Sequence, residues 1–349
     1  VSPKSTELVN ASVVYALDFS TWKKSVVRQC LTPASVVFVA RVADVPAGGA
    51  LVVWGMKPFG GELARDVKVL RLEDGFLRSV GLGVDLIRPM SWVIDGRGIY
   101  YDATRPSDLE HLLSTMQFDA GALQRAAQLR ERVVAQGLTK YNTGGQHWQR
   151  PAGAARVVLV PGQVESDASL AYGAPKIRSN MALLQAARAA HPDAYLVYKP
   201  HPDVLAGLRA RGADEQEALR WCDEVVEHAP MGDLLMAVDQ VHVLTSLAGF
   251  EALLRGKPVT CHGQPFYSGW GLTQDAVPNA RRSRRLSLDE LVAGALIEYP
   301  IYLSRDGQRL NTPEQAIDEL VAWRMQAGDK LPWWRQLFRV VLRRVVGVR

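Results

Sequence analysis

Cysteine is scarce: Cys30, Cys222 and Cys261 are the only three among 349 residues. An odd number spread far apart argues against a disulfide framework and fits reduced thiols in a cytoplasm. None stands at zinc-site spacing from a histidine, and no D-x-D motif is positioned for a metal, so neither a metal nor a cofactor is expected. No apolar run reaches the roughly 18 residues of a membrane span, and the N-terminus lacks the basic, apolar, small-residue order of a secretion signal. The chain opens on Val1 rather than Met, as a trimmed or excised segment would. Low-complexity tracts and repeats of about 20 to 50 residues are missing as well. The net charge is +5, but no helix-turn-helix, RNA-binding or zinc-finger signature accompanies it. Nucleic acid is therefore not the expected partner, and phosphorylated small molecules or anionic lipid rank above it.

What is present is a globular composition, 48% apolar, in a chain whose length suggests two domains at about 150 residues each. Short β-branched runs at 12–17, 36–40, 51–55 and 67–72 alternate with helical stretches, which reads as an α/β fold with parallel sheets and crossovers. Residues 91–95 and 96–102 read as a hairpin joined by Asp95-Gly96. Helical spacing follows from 107 to about 136, and a polar segment sets a boundary near 150. Further strands are expected at 157–160, 194–198, 224–227 and 240–244.

The polar stretch at 161–172 follows the buried run Val157-Val158-Leu159-Val160. Gln163, Glu165, Asp167 and Ser169 therefore stand at a strand's carboxyl end, where open α/β sheets bind ligands. Two carboxylates two residues apart can divide the roles of base, nucleophile and charge stabiliser; equally, Asp167 or Ser169 can cap the next helix. A second cluster, Lys199-Pro200-His201-Pro202-Asp203, ends the next strand. Its prolines fix the backbone around His201, and a rigid Lys-His pair suits a phosphate, with a histidine that can become cationic. Beyond 240–244, Thr245, Ser246 and Gly249 open a helix whose N–H groups face an anion, with Glu251 in reach of a ribose diol or else solvated. The glycine- and aromatic-rich loop with Tyr267, Gly269 and Trp270 either stacks on a ligand or packs as a turn. Glu73, Asp74 and Arg78 form another polar group after a strand, either holding an acceptor or pairing internally.

Arginines concentrate at 281–285 and in the tail, at Arg335, Arg339, Arg343, Arg344 and Arg349. The first cluster either neutralises a ligand carboxylate or forms a solvated basic face. In the tail, aromatics interleave with arginines at helical spacing, which fits a helix lying peripherally on an anionic inner leaflet, or one packed on the first domain.

In order, E-D-G-F-L-R-S at 73–79, K-Y-N at 140–142, G-Q-V-E-S-D-A-S at 162–169, K-P-H-P at 199–202, T-S-L-A-G-F-E-A-L-L-R-G-K-P-V at 245–259 and F-Y-S-G-W-G-L-T at 266–273 resemble the retaining β-Kdo glycosyltransferases of bacterial capsule and O-antigen synthesis (the KpsC/KpsS/WbbB group). The resemblance runs from Glu73 to Tyr302. It implies a GT-B-like enzyme of two Rossmann-like domains facing across a cleft: an acceptor-side domain at 1–150, a CMP-sugar domain at 151–300, and C-terminal helices at 301–349. It implies CMP-β-Kdo as donor, a Kdo-containing glycolipid or glycan as acceptor, and double displacement through Asp167, with Glu165 as competing nucleophile. Gln163, Lys199, His201, Ser246, Gly249, Glu251, Tyr267, Gly269 and Trp270 would bind the donor, with Lys199 and His201 supporting departure of CMP. Glu73, Asp74 and Arg78 would lie on the acceptor side. KpsC carries two such modules and this chain has one. An inverting transferase using Glu165 or Asp167 as base, and a non-catalytic glycan-binding module, remain the alternative readings.

Overall fold

The computed structural model describes residues 11–81, 88–142 and 145–327. The early β-branched runs become β1 (Val13–Leu17), β2 (Ser35–Val39), β3 (Ala50–Trp54) and β4 (Lys68–Asp74), with helix α1 (Lys24–Cys30) between the first two. These four strands are parallel, as alternation of strand and crossover predicts. The next strand, β5 (Ser91–Asp95), turns the direction over and pairs antiparallel with β4, Leu72 opposite Ile94 and Asp74 opposite Trp92.

The expected hairpin after β5 does not form. The Asp95 carboxylate accepts from the N–H groups of Arg97, Gly98 and Asp108, at 2.9, 2.7 and 2.9 Å. That satisfies the backbone locally, so residues 96–102 make a turn held by a side chain instead of a second strand.

Helices α2 (Asp108–Thr115) and α3 (Ala120–Ala135) follow, each opened by an N-cap: Ser107 accepts from Glu110 N–H and Asp119 from Ala122 N–H. The second half runs β6 (Val157–Pro161), α4 (Ala168–Gly173), α5 (Asn180–Ala190), β7 (Tyr195–Lys199), α6 (Pro202–Leu205), β8 (Glu224–Val225), α7 (Met231–Ala237), β9 (Gln240–Val243), α8 (Leu247–Leu254), β10 (Val259–Cys261) and β11 (Gln274–Asp275). A Ser287–Glu290 capping box starts α9 (Leu288–Val292), which passes into a wider π-type turn at Ala293–Glu298. The chain then returns through β12 (Ile301–Leu303), β13 (Leu310–Asn311) and α10 (Pro313–Ala327).

The first sheet has the order β13-β12-β5-β4-β3-β1-β2 and the second β11-β10-β9-β6-β7-β8. The second is parallel throughout. Counted within it, the order is the 3-2-1-4-5-6 of a doubly wound sheet, with β6 at the centre and every residue of β6 buried. A continuous run of apolar residues is what a strand covered on both faces requires.

One face of the first sheet packs on α1 through Val14, Val26, Val27, Val52, Leu70 and Trp92. One face of the second packs on α5 through Val158, Leu183, Leu184 and Leu196. A third, larger cluster runs without a break from Leu109 and Val133 through Phe76 and Phe266 to Val157, Val243 and Leu296. Arg125–Glu314, Arg132–Asp318 and Arg130–Asp289 pin α3 to α10 and α9. Among the described residues no helix is long and apolar enough to cross a membrane. The basic tail from residue 328 onward, expected to lie on a membrane surface or pack on the first domain, falls outside the described residues.

Candidate active site

In the second sheet the chain leaves the central β6 in one direction and returns on its other side as β9, so their carboxyl ends part. Gln163 and Thr245, one beyond each strand, close that gap: Gln163 Nε2 donates to Thr245 Oγ1 at 3.0 Å, and its Oε1 accepts from the Thr245 N–H at 2.8 Å. The loop is clamped from behind by Asn180, whose Oδ1 accepts from Gln163 N–H and whose Nδ2 donates to Gln163 O. In front lies a cavity of about 850 Å3, lined from both sheets. Its floor carries Gln163, Asp167, Lys199, His201, Ser246 and Glu251, and the facing wall Glu73, Asp74 and Arg78.

The two acids of the central loop separate. Asp167 holds the N-cap position of α4 without capping it through its side chain; its carboxylate faces the cavity, with Arg209 Nη2 3.3 Å away. Glu165, the competing nucleophile, is turned aside and committed elsewhere: Oε1 accepts from Asn180 N–H at 2.7 Å and Oε2 from Ala213 N–H at 3.2 Å. It does not line the cavity.

His201 caps α6, its Nδ1 accepting from Asp203 N–H at 3.2 Å. The remaining ring proton is therefore on Nε2. Burial, with Lys140, Arg209 and Arg78 nearby, holds its pKa down to about 3, so it acts as a neutral donor and not as the cation that its sequence neighbours implied. Lys199 donates to Glu227 O at 3.2 Å, and burial lowers its pKa to about 8. Asp203 is buried, pushed above the usual carboxylate range, and leaves Oδ1 without a partner beside the cavity. Glu251, expected near a ribose or in solvent, is buried; its Oε1 accepts from Lys140 N–H at 2.6 Å, and burial lifts its pKa to about 7.

On the opposite wall, burial raises Glu73 to about 7 against the pull of Arg78 and Lys23. Arg78 pairs with Asp74, and Tyr100 donates to Asp74 O at 3.2 Å. The K-Y-N segment fastens this wall to the floor. Asn142, in a left-handed conformation (φ 47°), donates to Ser79 O at 3.0 Å and accepts from Thr139 N–H at 2.8 Å. Gly81 N–H donates to Tyr141 O, and the Tyr141 ring meets His201 edge-on.

Three expectations from the sequence are corrected. Tyr267, Gly269 and Trp270 do not line the cavity. Tyr267 and Trp270 are fully buried, the first donating to Ser246 O, the second to Phe266 O; from that loop Pro265 and Phe266 reach the cavity. Gly249 serves this packing, because a Cβ there would collide with the Tyr267 hydroxyl. The arginines at 281–285 do not meet the cavity, and three of the four are drawn to carboxylates while Arg285 stays exposed. Arg281 and Arg282 both bind Glu110, at 2.6 and 3.0 Å, and Arg284 binds Glu290 at 2.6 Å. Arg209, Tyr141 and Tyr100, by contrast, belong to the cavity and were not singled out as site residues from sequence. Arg209 arrives on a loop with no local pattern to announce it.

The model of the family described as "Capsule polysaccharide biosynthesis protein" matches residues 50–143 and 122–303. The chain is 46% identical over 255 residues to "Capsule polysaccharide modification protein LipA" of Neisseria meningitidis serogroup B, 73% of this chain and 36% of that protein. It is 42% identical over 261 residues to "Lipopolysaccharide-processing protein LpsZ" of Rhizobium meliloti, 72% of this chain and 59% of that one. This chain thus spans about a third of the length of LipA. Two solved structures of Thermosulfurimonas dismutans KpsC match as well. The "beta Kdo 2,7 transferase" is 40% identical with a TM-score of 0.73, covering 88% of this chain and 98% of that one. The "beta Kdo 2,4 transferase" is 32% identical with a TM-score of 0.74, covering 88% and 97%. By family model, by sequence and by fold, this chain belongs to the capsule polysaccharide biosynthesis family and is similar in structure to its Kdo transferases.

Proposed function

We propose that the protein is a retaining β-Kdo glycosyltransferase, moving Kdo from CMP-β-Kdo to a Kdo-containing glycan or glycolipid in capsule synthesis. The observation that carries this reading is the single cavity in which Asp167 faces Glu73 and Arg78 across the carboxyl ends of the second sheet, together with the match to KpsC Kdo transferases. The architecture is GT-B-like: a Rossmann-like acceptor side at 1–150, a Rossmann-like CMP-sugar side at 151–300, and 301–327 returning to the first sheet.

The chemistry follows from the side chains. Asp167 attacks the anomeric carbon of Kdo while the bond to the CMP oxygen breaks, giving a glycosyl ester. CMP departs as a phosphate monoester, its charge met by Lys199, the His201 Nε2–H and the N–H groups that open α8 after Ser246. Arg209, 3.3 Å from the Asp167 carboxylate, holds it in place. In the second step Glu73, with a pKa matched to neutral pH, takes the proton of the acceptor hydroxyl as that oxygen displaces Asp167. Two inversions give net retention. Asp203 Oδ1 and Glu251 offer polar contacts to the sugar and the ribose.

The test is intact-protein mass spectrometry after brief exposure to CMP-Kdo generated in situ, without acceptor. One added Kdo mapping to Asp167, absent in Asp167→Ala while CMP still binds, is the expected result. Near-normal transfer by Asp167→Ala would remove Asp167 from the mechanism. No CMP release from wild type, with or without acceptor, would refute the donor assignment.

A further inference from the structure

Glu165 stands two residues before Asp167 and outside the cavity, yet its carboxylate sits where three pieces of the floor meet. Oε1 accepts from the N–H of Asn180, the first residue of α5, whose side chain clamps the Gln163 loop. Oε2 accepts from the N–H of Ala213, on the loop at 206–214 that brings Arg209 to Asp167. Gly212 makes this approach possible, because a Cβ there would collide with the Glu165 carboxylate.

Little else fixes that loop. It contains no helix or strand, and it turns through left-handed residues at Gly207 (φ 66°) and Asp214 (φ 56°). Leu208 is buried, but every residue from 209 to 214 is at least partly exposed. Apolar burial therefore does not place Arg209, and hydrogen bonds must. At the near end Asp203 O accepts from the N–H groups of Leu208 and Arg209, at 3.0 and 3.2 Å. At the far end Gly212 N–H donates to Glu215 Oε2 at 2.8 Å, and Glu215 Oε1 accepts from the Tyr198 hydroxyl on β7. Glu165 is the tether from this far end to the loop of Asp167. Asp167 depends on it in turn. Its carboxylate does not cap α4, and among the described residues Arg209 alone pairs with it. A nucleophile misplaced by about 1 Å can lose about 100-fold in rate.

We propose that Glu165 is a positioning residue of the transfer reaction: by joining the 206–214 loop to the loop after β6 it fixes Arg209, and through Arg209 the direction from which Asp167 attacks. The inference rests on the transferase reading above and deepens it, since the acid that competes for the nucleophile's role in the sequence then serves the other from outside the cavity.

The experiment follows formation of the Kdo–Asp167 ester by rapid-quench mass spectrometry, with CMP-Kdo generated in situ and no acceptor. It compares wild type, Glu165→Gln, Gly212→Ala, Arg209→Gln and the double variant Glu165→Gln/Arg209→Gln. Glutamine keeps the length of Glu165, but its amide nitrogen only donates, so it cannot accept from both Asn180 and Ala213. Gly212→Ala retains the Glu165 carboxylate and displaces it. Each single variant should form the ester about 10- to 100-fold more slowly. For Glu165→Gln and Gly212→Ala, CMP affinity by calorimetry should stay as in wild type, because Lys199 and His201 are untouched. The double variant should be no slower than Arg209→Gln, since both changes act on one interaction. Losses that multiply in the double variant, CMP affinity that falls together with the rate, or a wild-type rate in Glu165→Gln overturns the proposal. If Glu165→Gln fails to fold, Gly212→Ala alone and combined with Arg209→Gln makes the same comparison. Should wild type form no ester and release no CMP, the transferase reading fails by itself. The tether is then read by deuterium exchange: faster uptake at 206–214 in Gly212→Ala or Glu165→Gln supports it, and unchanged uptake there overturns it.

Discussion

Glu73→Gln divides the two halves of the proposed reaction. Burial moves this carboxyl from 4.5 to about 7, worth roughly 3 kcal/mol in favour of the neutral acid. Near neutral pH about half the molecules still carry the base. Lys23 shares the cluster, brought down to about 8 mainly by burial, so the apparent pKa belongs to the pair. Only the ionised carboxylate can accept the acceptor's proton, so transfer should rise about tenfold per pH unit below the apparent pKa and level off above it. CMP needs no proton from Glu73, and its release without acceptor should show no such limb. Glu73→Gln keeps the shape and the Tyr101 contact but removes the base. Transfer should fall by about 10²–10⁴-fold, while the Kdo–Asp167 ester still forms and now accumulates. Rapid-quench mass spectrometry and CMP release, from about pH 5.5 to about 8.5, read both halves. A limb that persists in Glu73→Gln, or acceptor-free CMP release that falls with transfer, would refute the assignment.

His201→Ala should weaken CMP binding about tenfold or more, the worth of one hydrogen bond to a charged group, with partial recovery in His201→Gln; unchanged affinity by titration would leave His201 only its capping role. Arg282→Ala removes the buried one of the two arginines on Glu110, whose side chain is 6% exposed, and leaves Ser268 O without that donor; it should cost about 1–3 kcal/mol in urea unfolding. A loss under about 1 kcal/mol would mean that Arg281 alone satisfies Glu110. Burial, with His262 and His191 nearby, lowers His242 from 6.5 to about 3. The unfolded chain then binds more protons between those values, so stability is full above pH 6.5 and declines as pH falls toward 3. At about pH 5 the loss from this residue is about 2 kcal/mol. His242→Gln should lose that much less than wild type between about pH 7.5 and about pH 5; equal losses would place the acid sensitivity elsewhere.

The second-sheet side of the cavity was legible because its residues follow buried runs directly: Gln163 after β6, Lys199 at the end of β7, Ser246 after β9. An apolar strand that stops at a polar residue gives position and direction together. What stayed illegible depends on backbone turns or distant partners. Glu165 and Asp167 stand two residues apart and diverge because Asn180 and Ala213 offer N–H groups to only one of them. The Asp95-Gly96 pair looked like a hairpin turn, but its carboxylate found three backbone donors nearby. Arg281 and Arg282 were read as neutralising a ligand carboxylate or as a solvated basic face because Glu110, their partner, lies far back in the sequence. Phe266 and Tyr267 are neighbours of similar character, yet one faces the cavity and the other the core, and composition does not distinguish them.

The first sheet is finished last. Strand β5 pairs on one side with β4 and on the other with β12, which the chain reaches only at Ile301. A nascent chain that has yet to emerge to that point holds β5 as an open edge, ready to pair with another chain. The N-terminal half expressed alone would carry the same liability. Exchanging halves between relatives therefore calls for moving both ends of the chain together with the first sheet, and the natural cut lies at two places in the sequence, not one.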